Sequence, residues 1–394
     1  MSSRTRFILL VAGALMVAGG LVLWIAFATD VVATWGQPIA DLPYGRDLRS
    51  FTAAGEIAAE RDAEALYDSA SASYVLTGAA KFVNPPWYAI VMIPFAWLPF
   101  QALFPIWGVA GIFALSWSLR RLGVAGRDRV VATVLMSMAA VFALYFGQNT
   151  FFMVAILTFG IVSLERGASV TSGVAIALLG FKPHLLVGIA VWWLADFSNR
   201  WRAILAVAAT SAVLVLASAL WLPGSWAGFV NALREPSTLV DPDVEVTLFS
   251  AIRLLTGSAT GLAIVLFGLL ASALVVGLVI TVRTSHGSVR TAAGVAITVS
   301  VLLAVHGLPY DWLLLVVAGG LVVSEAGFGQ RRVAVVGVLL GSAMVFGDFL
   351  TELQLGRFPI AIHAAPWILL GVTVWMMRTA VSVAGSRQMP VHTP

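Results

Sequence analysis

The chain is built from long apolar runs broken by brief polar turns, a pattern that predicts helices buried all round rather than helices with one wet face. Phe7 to Thr29 is uncharged for 23 residues. Further apolar runs occupy residues 87–119, 130–146, 150–164, 170–181, 185–196, 202–221, 259–282, 291–305, 311–325, 332–350 and 360–377. A straight span needs about 20 residues. Several runs fall short of that, so they predict half-helices, or helices that end in a protein-lined, watery cleft. Pro94, Pro99 and Pro105 predict a kinked or re-entrant start to 87–119, counted as one net crossing.

Two stretches break the pattern. Residues 30–86 contain Leu48 to Asp68, where Leu48, Phe51, Ala54, Ala58 and Leu66 alternate with Glu56, Glu60, Arg61, Asp62 and Glu64. That spacing predicts one or two juxtamembrane helices in the interface. Residues 222–258 form the second long loop, with Trp221 and Trp226 as interfacial anchors. The predicted fold class is therefore an all-α polytopic membrane protein of about 12 transmembrane segments. It is one integral membrane domain, 1–394: an anchor helix (1–29), a first periplasmic loop (30–86), a membrane core (87–221), a second periplasmic loop (222–258) and C-terminal transmembrane helices (259–394). The first run is too long for a signal-peptide core, which predicts an uncleaved anchor with a cytoplasmic N-terminus.

Composition sharpens this. The chain is 60% hydrophobic and 11% charged, with a mean hydropathy of +0.96, well below the charge content of a soluble domain. A net charge of +4 would suggest nucleic acid in a soluble protein; here the arginines fall between apolar runs, so lipid orientation explains them and nucleic-acid binding is rejected. With no cysteine, disulfides, thiolate metal sites and thiol nucleophiles are excluded. Alternating crossings from a cytoplasmic N-terminus put 15 of the 23 Lys and Arg inside, among them Arg4, Arg6, Arg120, Arg121, Arg290, Arg331 and Arg332. Only Asp128, Glu165, Asp196 and Glu325 of the acidic residues join them. The C-terminus is then also cytoplasmic, in a bacterial inner membrane.

That topology gathers the polar clusters on the outer face: Asp47, Asn84-Pro85-Pro86, Gly147-Gln148-Asn149, Lys182-Pro183-His184 and His306 through Asp311. Asp47 reads as a general base taking a proton from an attacking hydroxyl, or as a helix cap or ion pair. Lys182, one of two lysines, reads as a partner for a phosphate, or as a snorkelling side chain. His306 suits a phosphate or sugar hydroxyl, with Tyr310 and Asp311 beside it; capping by Asp311 and an interfacial Tyr310 compete with that reading. Gln148 and Asn149 offer neutral donors to sugar hydroxyls, or simple caps. No recognisable metal-ligand spacing accompanies these groups, Asp241-Pro242-Asp243 included, and no metal or other cofactor is expected.

Gly45-Arg46-Asp47-Leu48 with Phe51 and Ala54, Leu66-Tyr67-Asp68, Phe82 to Pro86, Pro94 to Phe100 with Trp107, Gly147-Gln148-Asn149, Lys182-Pro183-His184, Trp201-Arg202 and the His306–Asp311 turn, in this order, resemble glycosyltransferase family 87. The resemblance implies the C-type glycosyltransferase fold. It implies inverting transfer of a hexose or pentose, with mannose as the prior, from a polyprenyl-phosphate sugar to a lipid-linked or glycan hydroxyl, in cell-envelope glycolipid synthesis. Asp47 occupies the position of the family's essential aspartate. The chain departs at His184, where glutamine is commoner, and at Glu245-Val246-Thr247-Leu248, where an Asn-Gln-Ser-Leu sequence is usual; both bear on the sugar or the acceptor.

The expected site places Asp47 as base. Lys182, His306 and Arg253 hold the donor phosphate, and Gln148, Asn149, His184, Tyr310, Asp311 and Asn84 contact substrate. Partners are the donor, the acceptor and membrane lipids; protein partners are left open. The competing reading is a secondary transporter or lipid flippase using Lys182, His306 and Asp311 as an ion relay; against it stand the 57-residue first loop and the lack of internal pseudo-symmetry. A structural subunit of an envelope-polysaccharide machine is a third, in which Asp47 and Lys182 would be dispensable.

Overall fold

The computed structural model describes residues 3–234, 245–257, 259–284, 288–323 and 359–387. Every regular element among them is helical. Helix α1 (Ser3–Ala33) covers the first apolar run, α2 (Arg46–Glu60) and α3 (Ala72–Thr77) lie in the first loop, and α4 (Pro86–Ala96) begins where that loop ends. The core comprises α5 (Phe100–Arg121), α6 (Arg127–Leu135), α7 (Met138–Tyr145), α8 (Thr150–Glu165), α9 (Ser169–Leu178), α10 (Val187–Ala195) and α11 (Phe197–Trp221). After α12 (Ser225–Arg234) come α13 (Leu248–Thr256), α14 (Thr260–Thr284), α15 (Val289–Leu303), α16 (Leu314–Val323) and α17 (Pro359–Arg387).

Local chemistry sets these boundaries. The 87–119 run breaks at Trp97–Pro99, with Pro86 opening α4 and Pro99 preceding α5, where a missing N–H and a fixed φ cost nothing. The run at 130–146 also splits: α6 and α7 meet at a 69° bend, and the Ser137 side chain caps α7 by accepting from the Ala140 N–H. Among the described residues four helices are long and apolar enough to cross a membrane, α5, α11, α14 and Ala365–Ser382 within α17, and a fifth crossing follows if α6 and α7 form one broken span. The runs at 150–164, 170–181 and 185–196 are short helices, as expected. The apolar run 332–350, Arg331, Arg332, Asp241 and Asp243 lie outside the described residues.

Small residues bring the core helices close, the packing membrane helices favour. A side chain at Gly173 of α9 would overlap the Ala203 carbonyl of α11. On α10 the Gly188 N–H donates to the Ser300 hydroxyl of α15 at 2.9 Å. Helix α2 is present where amphipathic spacing predicts it, yet it is wedged into the protein rather than laid on a surface. Leu48, Phe51, Ala53, Ala54, Gly55, Ile57 and Ala58 are buried, and a Cβ at Gly55 would come within 2.6 Å of the Met92 carbonyl of α4. The two tryptophans named as interfacial anchors are tied to protein: Trp221 Nε1 donates to the Ala58 carbonyl (2.8 Å) and Trp226 Nε1 to Ser218 Oγ (3.0 Å).

The helices have two chemically distinct ends. At one, Arg290 at the start of α15 forks onto Glu165 at the end of α8 (2.6 and 3.3 Å) and donates to the Leu122 carbonyl just past α5 (3.2 Å). The opposite ends of α8 and α15 carry Gln148-Asn149 and His306, and the turn Pro309–Leu313 packs there against α7 and α8. The polar clusters thus converge at the end away from the Arg290–Glu165 pair.

Candidate active site

Asp47 is the second residue of α2. Gly45, with φ of 71°, turns the chain into the helix, and its N–H donates to the Tyr145 carbonyl at 2.6 Å. The N–H groups of Asp47 and Leu48 both donate to the Phe146 carbonyl (3.0 and 3.2 Å). Three of the open donors of the helix start are therefore met by the end of α7, and the Asp47 side chain is not a cap. Gly147 makes this approach possible: its φ is 68°, and a Cβ there would sit 2.6 Å from Leu48 Cβ.

The carboxylate is thereby delivered to Gln148, whose Nε2 donates to Asp47 Oδ2 at 2.6 Å. The other end of the amide accepts from Lys182 Nζ at 3.4 Å, and the same ammonium donates to Asp311 Oδ1 at 2.7 Å. Asp311 Oδ2 accepts from the Leu308 N–H (3.2 Å), which anchors the far end in the Pro309–Leu313 turn. Four expected site residues thus form one chain, Asp47–Gln148–Lys182–Asp311. Lys182 does not snorkel: its side chain is 12% exposed and that of Asp311 6%, and its ammonium lies 4.7 Å from the centre of the buried Tyr310 ring. Asp311 combines the turn-capping role with the ion pair.

Asp47 is half-buried. Burial pushes its carboxyl above the usual carboxylate range, against the pull of the Gln148 hydrogen bond and of the Lys182 and Arg46 charges; the nearby Asp311 adds to the upward push. A carboxylate in that state holds a proton more readily than a solvated one, which suits a group that must take one from a hydroxyl.

The remaining expected residues divide. Asn149 lies behind the chain, its Nδ2 donating to Tyr88 Oη at 2.7 Å while its Oδ1 is buried without a partner. Tyr88 stacks on Phe181, beside Lys182, with ring centres 4.9 Å apart. His306 lies apart from Lys182 in hydrogen-bonding terms; its Nδ1 meets Glu245 Oε1 at 2.8 Å, with side chains 41% and 8% exposed. His184 is its neighbour, ring centres 6.2 Å apart, with Nε2 buried and unpartnered. Asn84 is buried and its carbonyl accepts from Tyr67 Oη (2.8 Å), a wall contact that does not join the chain. Among the described residues no hydrogen bond or ion pair connects Arg253 to these groups.

Sequence reasoning missed Glu245 as a partner for His306. Its signal was an acidic residue beside Val246 and Leu248, both buried. The Val246 N–H donates to the Gly307 carbonyl (2.9 Å), which brings this segment onto the His306 turn. Among the described residues no three His, Asp or Glu side chains are grouped to hold a metal ion.

The segment carrying Gln148, Lys182, Glu245 and His306 also decides the relationship. Residues 82–309 match the family model for glycosyltransferase family 87, more than half of the chain. The chain belongs to glycosyltransferase family 87. No curated protein and no solved structure matches it. Membership makes this membrane protein a glycosyltransferase, with a sugar donor and an acceptor as its substrates. Asp47 precedes the matched segment and Asp311 follows it, so their link to the family's core is the hydrogen bonding through Gln148 and Lys182.

Proposed function

We propose that this family 87 enzyme transfers a hexose or pentose, with mannose the first candidate, from a polyprenyl-phosphate sugar to a hydroxyl of a lipid-linked or glycan acceptor. The reading places the reaction at the outer face of a bacterial cytoplasmic membrane, in a C-type fold of about 12 crossings, as part of envelope glycolipid synthesis. The observation that carries it is the unbroken chain from Asp47 through Gln148 to Lys182 and Asp311. That chain sets a proton acceptor beside a cation, the two groups an inverting transfer from a phosphate leaving group requires.

In this mechanism the acceptor oxygen attacks the anomeric carbon on the face opposite the phosphate, and its proton passes to Asp47. The new C–O bond forms as the bond to the phosphate oxygen breaks, and polyprenyl phosphate leaves with the electron pair. Lys182 faces the leaving group, with Gln148 coupling it to Asp47. His306, oriented by Glu245, and His184 line the neighbouring part of the site, and Asn149, Tyr310 and Asp311 hold its shape. The phosphate gains its second negative charge as the bond breaks, and cationic side chains can meet that growing charge without a metal.

The test is incubation of purified protein with a panel of radiolabelled polyprenyl-phosphate sugars and a membrane lipid extract, beside Asp47→Ala. A labelled glycolipid made by the wild type alone identifies the sugar and supports Asp47 as base. Product from the variant at the wild-type rate moves the base elsewhere, with Asp311 next in line.

A further inference from the structure

Charge pairing in the site leaves a gap that sequence reading did not expect. A polyprenyl-phosphate donor carries one negative charge, and the leaving phosphate carries close to two. Of the cations expected to meet it, Lys182 already donates to Asp311 at 2.7 Å and His306 already faces Glu245 at 2.8 Å. Arg253 is joined to neither. Arg49, although beside Asp47 in sequence, is buried and spends its Nη1 on the carbonyls of Ile39 and Leu42 (2.6 and 2.9 Å). At the start of α2 the N–H groups of Gly45, Asp47 and Leu48 are already taken by the carbonyls of Tyr145 and Phe146.

Arg46 is different. It is exposed, and among the described residues its guanidinium makes no hydrogen bond or ion pair. Its charge is felt at Asp47, at Arg49 and at Tyr310, the ring that also lies under Lys182. We infer that Arg46 is the residue that grips the phosphate of the lipid donor, an assignment that rests on the proposed polyprenyl-phosphate chemistry. A guanidinium presents its donors as a fork that fits phosphate oxygens, and an unpaired one need not be pulled from a carboxylate first. The reaction also favours this partner. Before transfer Arg46 stands beside an ionised Asp47; once Asp47 has accepted the hydroxyl proton it is neutral, just as the phosphate gains its second charge. The attraction of Arg46 therefore passes from base to leaving group during the step, stabilisation that grows toward the transition state rather than being spent on the substrate.

The test compares binding of farnesyl phosphate and farnesol, the same tail with and without the anion, to the purified full chain in neutral detergent. Wild type should prefer the phosphate by about tenfold or more, as expected for one charge-assisted contact. Arg46→Gln should lose that preference while binding farnesol as before, and Arg46→Lys should recover part of it. The lysine variant, together with an unchanged unfolding temperature, separates lost charge from lost fold. A preference that survives in Arg46→Gln and disappears in Lys182→Met overturns the assignment and leaves the donor chemistry standing. No preference in wild type removes both. Excess phosphatidylglycerol supplies the same phosphate chemistry from a lipid headgroup: if it abolishes the wild-type preference, Arg46 serves headgroups and the assignment fails.

Discussion

Asp47 and Gln148 stand 101 positions apart and meet at 2.6 Å, the amide of Gln148 donating to the carboxylate. The contact fixes the rotamer of a carboxylate whose surroundings otherwise disfavour its charge. Burial raises the Asp47 pKa, so the folded protein holds this proton more tightly than the unfolded chain. The unfolded chain releases it first, near pH 4, and from there upward the cost to the fold grows until the folded pKa is passed and stays in full above it. Asp47→Asn, which cannot ionise, should therefore abolish transfer and raise the unfolding temperature at neutral pH. A variant that is inactive and less stable than wild type contradicts the burial argument.

The same shift sets an acid limb. Activity should fall with decreasing pH at a point above the ordinary carboxylate range, because transfer needs Asp47 ionised. Gln148→Leu removes the hydrogen bond that favours the charged form and should move that limb to still higher pH. A pH–rate profile of kcat for both proteins measures the displacement; a limb that stays in place in Gln148→Leu assigns it to another group.

Lys182 and Asp311 form the most enclosed ion pair in the site. Lys182→Met strands a carboxylate that is 6% exposed and should destabilise the protein by about 3 kcal/mol. Adding Asp311→Leu should restore most of that loss while leaving transfer defective, since stability and phosphate charge are separate uses of the pair. Denaturation of the two single variants and the double variant completes a thermodynamic cycle; additive losses would mean the two groups do not interact.

How far the site could be read from the chain differs by residue. Lys182 was conspicuous because a lone cation between apolar runs is costly wherever it lies. Its partner was not, since Asp311 is 129 positions away and the two turns meet only because α10 packs on α15. The break before α5 was legible in Pro99, whereas the bend between α6 and α7 carries neither Gly nor Pro, and the Ser137 cap is its sole local mark. Helical spacing found α2 but could not show it buried, because Ala53, Ala54, Gly55 and Ala58 suit a lipid surface and a tight helix contact equally. Glu245 lies in a loop without periodicity, where no pattern could aim it at His306.

Gly147 tests the support beneath the site. Gly147→Ala puts a methyl group where the backbone has φ of 68° and Leu48 Cβ is 2.6 Å away. The strain should cost about 1–3 kcal/mol, and α2 should relieve it by moving off the end of α7. Because that movement separates Asp47 from Gln148, the loss in kcat should exceed what the fall in folded fraction explains. Equal losses would show that the glycine matters for folding alone.

Sidedness follows from the two chemically distinct ends of the helix bundle, and a chain without cysteine lets it be measured directly. Glu60, at the end of α2 beyond Asp47, and Arg121, at the end of α5 near the Arg290–Glu165 pair, are both exposed. If the site faces outward, Glu60→Cys should react with a membrane-impermeant maleimide on intact cells, and Arg121→Cys only after the membrane is opened. The positive charge crowded at Arg120, Arg121, Arg127 and Arg129 argues for that orientation, since short basic loops stay in the cytoplasm. Labelling of Arg121→Cys in intact cells, with Glu60→Cys protected, would place Asp47 on the cytoplasmic side and make an unflipped donor its substrate.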